Sequence, residues 1–590
     1  MNRFAALFAE LDASTATSAK LAALQRYLTE VDDADAAWAV YFLSGGKPRQ
    51  LIKTARLRQL ATEAAGLSDW LFEACYQTVG DLAETIALVL PDASDTGGME
   101  VSLSHWMHDR LLPLRGQDDD TVARALVGWW GELSPTGRFL LIKLVGGGFR
   151  VGVSKLLVQR AIAAHAGLDA RHVAARMMGY TDSRRAPTAE MYRALTSAAA
   201  VFEAEPSQPY PFFLASALDA ESANGMRAQE PVAQWLAEWK FDGIRGQIVK
   251  RSGRVWVWSR GEELMSERFP ELLALAQRWP DGTVVDGEIM VWDASAAAPL
   301  LPGSDRAGRP APFALLQQRI GRKTLGTKVL ADAPVSFMAY DLLESQGADL
   351  RGMPQIERRA RLEVFAASLD KVPGPRLWLS PVLCADSWDA LAELRVQARE
   401  LGVEGLMLKH RESVYGTGRQ KRDVEGAMLA WWKWKLDPLT VDGVLIYAQA
   451  GHGRRASVYT DYTFAVWNRA PVDAAEAEAV IEAIAQRRPA NPDGLQLVAF
   501  TKAYSGLSDQ EFDRVDAVIR KTTLEKFGPV RSVRPTLVFE LAFEGIARST
   551  RHKSGVALRF PRMLRLRPDK PLHEADSLQE LQRLLSAPQG

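Results

Sequence analysis

The 590-residue chain contains only two cysteines, Cys75 and Cys384, and no long uninterrupted apolar run. Two thiols far apart in the sequence cannot form a disulfide framework or a four-cysteine zinc module, and their apolar neighbours predict buried thiols in a reducing compartment. No stretch approaches the roughly 18 apolar residues that a membrane-spanning helix needs. We therefore expect a soluble, intracellular protein with no membrane partner.

The chain also lacks an excess of charge of either sign, since 72 Lys and Arg residues balance 72 Asp and Glu residues. Total charge therefore neither indicates nor excludes a polyanionic partner, and only local clusters are informative. The clearest cluster is residues 551–570, where basic residues alternate with Phe560 and Met563 and only one acid is present. Such a strip is typical of binding to a triphosphate or to a nucleic-acid backbone, with a solvated face as the alternative.

Length and residue patterns predict a multidomain protein. Its expected parts are an all-α domain, an α+β domain and a C-terminal β-barrel of the OB-fold type, over residues 1–204, 205–437 and 438–590. The segment 294–312, rich in Ala, Pro and Gly, is expected to be a surface excursion.

Cations lie where helices of the first domain are expected to begin. They are Lys47 with Arg49 and Lys53, Arg56 with Arg58, and Arg150 with Lys155. Backbone amides at a helix start favour anions, so these sites are candidate phosphate-docking points. Solvated helix ends are an equally weighted alternative.

The most informative segment runs from Glu238 to Arg245 and places Lys240 two residues before Asp242 and its glycine. A lysine amine can attack phosphorus only when uncharged, and with an ordinary pKa near 10.4 only about one in two thousand is uncharged at neutral pH. Lys240 therefore needs neighbouring cations that disfavour its charged form. The alternative of a plain surface lysine is disfavoured because aromatic residues flank Lys240 on both sides.

Three further lysines are candidates for activating Lys240 and for neutralising a phosphate: Lys409, Lys433 and Lys435. Glu288 and Glu404 each lie beside a glycine in an apolar strand, where an unpaired carboxylate is costly. They predict a site for Mg²⁺, or Mn²⁺, completed by substrate phosphates. Internal salt bridges to Lys409 or Arg260 are the alternative.

Tyr340 precedes an aspartate at the end of an apolar strand. Its ring is a candidate platform for a purine, with core packing as an equal alternative.

Six segments, in order, resemble the motifs shared by the covalent nucleotidyltransferases, which comprise ATP-dependent DNA ligases, RNA ligases and mRNA capping enzymes. The segments are 238–245, 259–262, 285–289, 404–409, 432–435 and 559–570. One branch is matched more fully, the DNA ligases related to eukaryotic DNA ligase I and its bacterial relatives. Their segments resemble residues 313–319, 358–363 and 558–562. The helical N-terminal third, notably residues 149–152, is similar to their DNA-binding domain.

That resemblance implies an ATP-dependent DNA ligase that seals 5′-phosphate/3′-hydroxyl nicks through a lysine–AMP intermediate and a DNA-adenylate. The implied catalytic residues are Lys240 as nucleophile, Asp242, Arg245, Lys433 and Lys435. The implied nucleotide-binding residues are Glu238, Arg245, Arg260, Glu288, Tyr340, Lys409, Lys433, Lys435, Arg559, Arg567 and Lys570, with Glu288 and Glu404 also binding metal.

The resemblance assigns parts to several of these residues. Glu238 would contact adenine, Tyr340 would stack on it, and Arg245 and Arg260 would hold AMP or the 5′-phosphate of the nick. Lys433 and Lys435 would bind the α-phosphate. Arg567 and Lys570 would be carried in by the barrel to orient the leaving pyrophosphate.

The resemblance further implies a monomer that clamps nicked duplex DNA in replication, repair or recombination. High Ala and Arg content favours a bacterial protein, which would act in the cytoplasm and at the nucleoid. Two alternatives remain open. An RNA ligase or capping-type enzyme is disfavoured by the large helical domain, and an inert nucleic-acid-binding protein is disfavoured because the chemically essential residues are all present. An NAD-dependent ligase is disfavoured because its usual cysteine-rich zinc module is absent.

Overall fold

The computed structural model describes most of the chain. The described residues are 1–14, 16–46, 50–79, 81–91, 101–146, 152–182, 185–197, 206–218, 230–294, 301–304, 307–322, 325–370, 376–419, 431–450, 459–489, 491, 493–504, 506–527, 530–550 and 552–586. Within these ranges, every helix is too short or too polar to traverse a bilayer.

The described residues up to 197 form helices around one apolar core. The helices are Asn2–Ala13, Thr17–Glu30, Asp33–Leu43, Thr54–Ala64, Asp69–Val79, Leu82–Val89, Leu103–His105, Trp106–Leu111 (a π-helix), Asp119–Glu132, Pro135–Gly146, Lys155–Ala166, Ala170–Arg176 and Ala189–Thr196. Several begin at a capping side chain; Ser154, for example, accepts a hydrogen bond from the backbone N–H of Leu157. The helical character predicted for this region is confirmed.

The middle region contains two sheets that face each other. One has the strand order Ser216–Ala217, Trp431–Lys435, Gly405–His410, Trp235–Trp239 and Val382–Leu383. The other has the order Arg254–Ser259, Ile244–Arg251, Thr283–Asp293, Val335–Ser345 and Ala348–Asp349, with Arg309–Pro310 and Trp378–Leu379 attached to it. Helices accompany the sheets at Val232–Gln234 and Ser266–Arg268 (both 3₁₀), Pro270–Ala276, Phe313–Ile320, Thr327–Asp332, Gln355–Leu369 and Trp388–Gln397.

The C-terminal region is rich in strands built around the long strand Leu439–Ala450. That strand pairs with Tyr459–Trp467, Val530–Val533 and Val538–Phe543, and the sheet is extended by Leu497–Ala503, Thr523–Phe527 and Arg562–Leu566. A separate pair is formed by Gly545–Arg548 and Val556–Arg559, and the helices are Ala474–Ala485, Asp509–Thr522, Leu572–Glu574 (3₁₀) and Leu578–Ser586.

Three expectations need correction. Cys384 is exposed rather than buried, because it follows a short strand at a sheet edge, while Cys75 is partly exposed. The described part of 294–312 is not simply a surface excursion, because Leu301 is buried against the core that contains Trp239. Within the region expected to form a β-barrel, Asp509–Thr522 forms a helix, and its capping box of Ser508 and Glu511 is a local sequence signal for it.

Some of the candidate phosphate-docking cations fall outside the described residues, namely Lys47, Arg49 and Arg150, as do residues 149–151 of the DNA-ligase-like segment. Of the others, Arg58 pairs with Glu73 and Arg56 lies 3.5 Å from Asp120. Lys155 forms an ion pair with Glu262 of the middle region. Three of the predicted docking cations are therefore engaged by carboxylates in this arrangement.

Candidate active site

The first sheet brings together Lys240 and Glu404, which are far apart in the sequence. The backbone N–H of Glu404 donates to the carbonyl of Lys240 at 2.8 Å, and that of Lys240 donates to the carbonyl of Gly405 at 2.8 Å. Gly405 has φ +131°, and a Cβ there would lie 2.3 Å from the carbonyl oxygen of Trp434. Glycine is therefore required for the strands to approach closely enough to pair these two functional residues.

The second sheet forms the opposite side of the site. Arg245 lies directly across from Glu288, and Gly246 lies across from Gly287. A Cβ on Gly287 would meet the carbonyl oxygen of Met338 at 2.6 Å, which explains why glycine stands beside the acid. The backbone N–H of Arg260 donates to the carbonyl of Arg245 at 2.9 Å, so the second motif, 259–262, lies beside the end of the first.

The two sheets enclose a cavity of about 580 Å³. Its walls include most of the predicted site residues: Glu238, Lys240, Asp242, Arg245, Arg260, Glu288, Tyr340, Glu404, Lys409, Lys433, Lys435 and Arg559. Arg567 and Lys570 do not line it. The cavity therefore unites all of the predicted site residues except these two.

Lys240 forms an ion pair with Glu404, and Lys435 lies 3.4 Å from the same carboxylate. Burial acts to raise the pKa of Glu404, but these two ammonium groups hold it below its usual range. Burial lowers the pKa of Lys433, and the charges of Arg419 and Lys435 act in the same direction. Glu404 is therefore ionised among cations, and its partners are not the Lys409 or Arg260 considered from the sequence.

Glu288 lines the cavity together with Glu404. Burial raises the pKa of Glu288 to about 7, against the opposing charges of Lys240 and Arg245. A nearby cation stabilises the ionised form of a carboxylate whose pKa is raised by burial. Mg²⁺ prefers oxygen ligands, and two carboxylates beside open space for phosphate oxygens can supply them. The residues thus fit a divalent cation, although the described residues contain no group of three or more ligand side chains that could hold one alone.

Tyr340 and Trp431 form the aromatic end of the cavity, packed edge to face at 6.2 Å. Met407 lines it from the strand that pairs with the strand of Trp431. Lys409 lies over both rings, at 4.4 Å from the Tyr340 centroid and 4.5 Å from that of Trp431. It also donates to Glu238 at 3.0 Å. The ammonium of Lys409 is therefore engaged at the aromatic end of the cavity, and its role in activating Lys240 stays a prediction.

Arg245 is tied into a buried network. Its guanidinium donates to Asp286 at 2.7 Å and 3.2 Å, to the carbonyl of Phe213 at 2.5 Å and to the hydroxyl of Tyr415 at 3.2 Å. The Tyr415 hydroxyl donates in turn to Asp286 at 2.5 Å. In this arrangement Arg245 supports the cavity wall, and its contact with AMP or with the nick stays a prediction.

The C-terminal region reaches the cavity through Arg559 and Glu544. Arg559 forms an ion pair with Asp242, with a second hydrogen bond of 3.0 Å, and Lys435 lies 3.1 Å from Glu544. Phe560 lines the cavity, is 64% exposed and has φ +51°, an uncommon conformation for a large side chain. The C-terminal region thus covers one side of the lysine cluster.

Arg567 and Lys570 instead bind Asp442 within the C-terminal region, at 3.2 Å and 2.5 Å. Arg567 also bonds Asp569 at 2.9 Å. Their role with pyrophosphate stays a prediction and would require the C-terminal region to turn.

Sequence reasoning missed several residues of the site: Asp286, Met407, Tyr415, Arg419, Trp431 and Glu544. Asp286 and Met407 lie inside the motifs 285–289 and 404–409, so the motifs themselves indicated that both are near the site. Tyr415 and Arg419 carry a weaker signal, a tyrosine and a cation around glycines between two motifs. Glu544 had no local signal, because only the packing of the C-terminal region brings it to Lys435.

A lysine held among carboxylates and cations, beside an aromatic slot and with the motifs in this order, defines the class of covalent nucleotidyltransferases. Family models bear this out over three stretches. They are "DNA ligase N terminus" over residues 1–163, "ATP dependent DNA ligase domain" over 213–435 and "ATP dependent DNA ligase C terminal region" over 485–570.

Similar proteins agree with the family models. A "Probable DNA ligase" of Koribacter versatilis is 30% identical over 97% of this chain and 94% of its own length, and "DNA ligase 2" of Methanosarcina mazei is 26% identical over 91% and 88%. The solved structure "Pmar-Lig_PreS3" has the same overall fold, with a TM-score of 0.53 and 14% identity over 96% of this chain and 99% of that one. The chain belongs to the ATP-dependent DNA ligase family and is an enzyme.

Proposed function

We propose that the chain seals nicks between a 5′-phosphate and a 3′-hydroxyl in duplex DNA, with Lys240 as the residue that carries AMP. The observation that supports this most directly is the position of Lys240. It lines a nucleotide-sized cavity with Lys433 and Lys435, and Tyr340 lines the aromatic end of the same cavity. An amine in that position is set to meet the α-phosphate of a nucleotide whose base occupies the aromatic end.

In the first step the Nζ of Lys240 attacks the α-phosphorus of ATP. A P–N bond forms, the bond to the bridging oxygen of pyrophosphate breaks, and pyrophosphate leaves with the electron pair. Attack requires that Lys240 first leave its ion pair with Glu404 and lose a proton, so the free enzyme holds its nucleophile in a resting state.

Two further transfers complete the reaction. An oxygen of the nick 5′-phosphate attacks the phosphorus of lysine–AMP, and the amine leaves and regains a proton. The 3′-hydroxyl oxygen then attacks the activated 5′-phosphate, and AMP leaves. The proton of the 3′-hydroxyl passes to solvent, and the strand is closed. Lys433 and Lys435 stabilise the negative charge at phosphorus, because positioned cations act where charge develops.

Glu288 and Glu404 would hold Mg²⁺ or Mn²⁺, which when bound offsets the charge of the triphosphate. Glu238 and the ring of Tyr340 would receive adenine, and Arg260 would contact AMP or the 5′-phosphate. Asp242 serves in this arrangement as the partner of Arg559.

The finer architecture belongs to the same proposal. Residues 1–204 would bind duplex DNA, 205–437 would carry adenylation, and 438–590 would form an OB-fold barrel. A monomer whose three parts close around the duplex, at the nucleoid of a bacterial cell, accounts for cations on each of them.

Mass spectrometry of the intact protein tests this function. With ATP and Mg²⁺ the protein should gain the mass of one AMP, located on Lys240. Lys240→Ala should lose both this adduct and the sealing of nicked duplex, while retaining nick binding in a gel-shift assay. Adduct formation in Lys240→Ala, or labelling by GTP in preference to ATP, would contradict the proposal.

A further inference from the structure

Glu238 is held between two cations at the aromatic end of the cavity. Its side chain is 1% exposed, and its Oε2 accepts a hydrogen bond from Lys409 at 3.0 Å. Nη1 of Arg359 lies 3.6 Å from its other oxygen, Oε1. Within the described part of the chain, Oε1 is buried without a hydrogen-bond partner.

Arg359 is held in place by contacts on the side away from Glu238. Arg359 lies on helix Gln355–Leu369, outside the cavity lining, and is 6% exposed. It donates to the carbonyl of Ser380 at 2.8 Å and to Glu363 at 2.7 Å. Because these bonds fix the guanidinium, it can hold the Glu238 carboxylate without touching a nucleotide.

The arrangement leaves Oε1 as the oxygen of Glu238 that has no hydrogen-bond partner among the described residues. A carboxylate that turns both oxygens to the base can accept the paired N–H groups of guanine as a fork, but here Oε2 is turned toward Lys409. The remaining oxygen suits a single donor, which adenine supplies as its exocyclic amino group, whereas guanine carries an oxygen acceptor at that position. A buried acceptor left without a donor is costly, so a base that supplies one is favoured.

We propose that Arg359 is a positioning residue that determines base specificity: with Lys409 it turns the Glu238 carboxylate so that one oxygen accepts from the amino group of adenine and guanine is rejected. This inference rests on the proposed function, since it concerns which nucleoside triphosphate enters the cavity. Arg359 acts through Glu238 and contacts no nucleotide.

The test compares transfer of α-phosphate label to the protein from ATP, from GTP and from purine riboside triphosphate, which lacks the amino group. In the unsubstituted protein ATP should label about ten- to a hundredfold faster than purine riboside triphosphate at subsaturating concentration, as expected for one hydrogen bond to a charged group. Arg359→Met should lower the ratio of ATP to GTP labelling by about tenfold or more. Arg359→Lys, which keeps a cation, should restore most of the ratio.

Arg361→Met is the matched control, because Arg361 is exposed on the same helix. It should leave the ratio unchanged. The double variant Glu238→Gln/Arg359→Met should have the same ratio as Glu238→Gln alone, because a neutral amide needs no cation. That pair keeps the test valid if Arg359→Met alone folds poorly, and thermal unfolding of each variant reports its fold.

An unchanged ratio in folded Arg359→Met, or equal labelling by ATP and purine riboside triphosphate, overturns the inference while the proposed function stands. Failure of every nucleotide to label the unsubstituted protein overturns the proposed function and the inference together.

Discussion

At the scale of single residues, the cavity concentrates groups whose ionisation depends on their neighbours. Glu404 stays ionised because Lys240 and Lys435 surround it, whereas burial raises the pKa of Glu288 to about 7. Two glutamates in one cavity therefore differ in charge near neutral pH. We infer that an added cation changes the ionisation of Glu288 more than that of Glu404.

Glu288 should make stability depend on pH. Its pKa is raised in the folded state, so its contribution is fully present below about pH 4.5 and is lost as pH rises through about 7. In metal-free buffer, the free energy of unfolding relative to Glu288→Gln should fall by up to roughly 3 kcal/mol between pH 5 and pH 8. Chemical denaturation at several pH values measures this.

Glu393→Gln, at an exposed position of helix Trp388–Gln397, is the matched control and should parallel the unsubstituted protein. Added Mg²⁺ should reduce the loss at pH 8. Identical pH profiles for Glu288→Gln and the unsubstituted protein would show that Glu288 ionises normally.

The hydroxyl of Tyr415 should matter for stability. Tyr415→Phe removes its 2.5 Å hydrogen bond to the buried Asp286 and its 3.2 Å contact with Arg245. The free energy of unfolding should fall by about 1–3 kcal/mol, because a buried charged acceptor loses a donor. Urea titration measures this, and Tyr504→Phe, at a side chain that is 58% exposed, should have little effect in the same experiment. Equal losses in the two variants would contradict the network.

At the scale of elements, paired strands carry the motifs. In the first sheet Met407 stands opposite both Glu238 and Lys433, so three motifs share one face of three adjacent strands. Because side chains alternate along a strand, a shift of one residue would turn this face away from the cavity. The chemistry therefore depends on strand register.

Gly405→Ala should disturb that register. At φ +131°, a Cβ would clash with the carbonyl of Trp434 at 2.3 Å, so the strand must move or strain. We expect a lower thermal midpoint and at least about tenfold slower labelling of Lys240, since small misplacements of reacting groups are costly. Gly352→Ala, where a Cβ meets nothing within 4 Å, is the control. Equal behaviour of the two variants would show that this close approach is unimportant.

At the scale of the whole molecule, ion pairs connect the parts around the cavity. Arg559 with Asp242 and Lys435 with Glu544 join the C-terminal region to the cavity, and Lys155 with Glu262 joins the helical region to it. The side chains of these pairs are partly exposed, by 15–37%, so salt or a polyanion can weaken these contacts.

The pair of Lys155 and Glu262 should help to set the position of the helical region. Lys155→Glu or Glu262→Lys alone should place like charges together and increase the radius of gyration in small-angle scattering without DNA. The double variant restores opposite charges and should return to the original value. Identical scattering from all four proteins would mean that other contacts set this arrangement.

Local patterns predicted much of the fold because periodicity and motif chemistry are properties of short segments. Helix Asn2–Ala13 follows from the spacing of its apolar residues, and strand Tyr459–Trp467 follows from alternation. The capping box of Ser508 and Glu511 is an equally local signal, and it predicts the helix Asp509–Thr522 inside the expected barrel region.

The amino-acid sequence alone determined the order of the motifs, the identity of Lys240 as the candidate nucleophile and the family to which those motifs point, because each depends on residue type and local spacing. Tertiary structure alone decided which charges meet. It paired Lys409 with Glu238, Arg245 with Asp286, and Arg567 with Asp442 instead of the cavity. Electrostatic partners are selected by distance across sheets and between domains, and sequence separation carries no record of that distance.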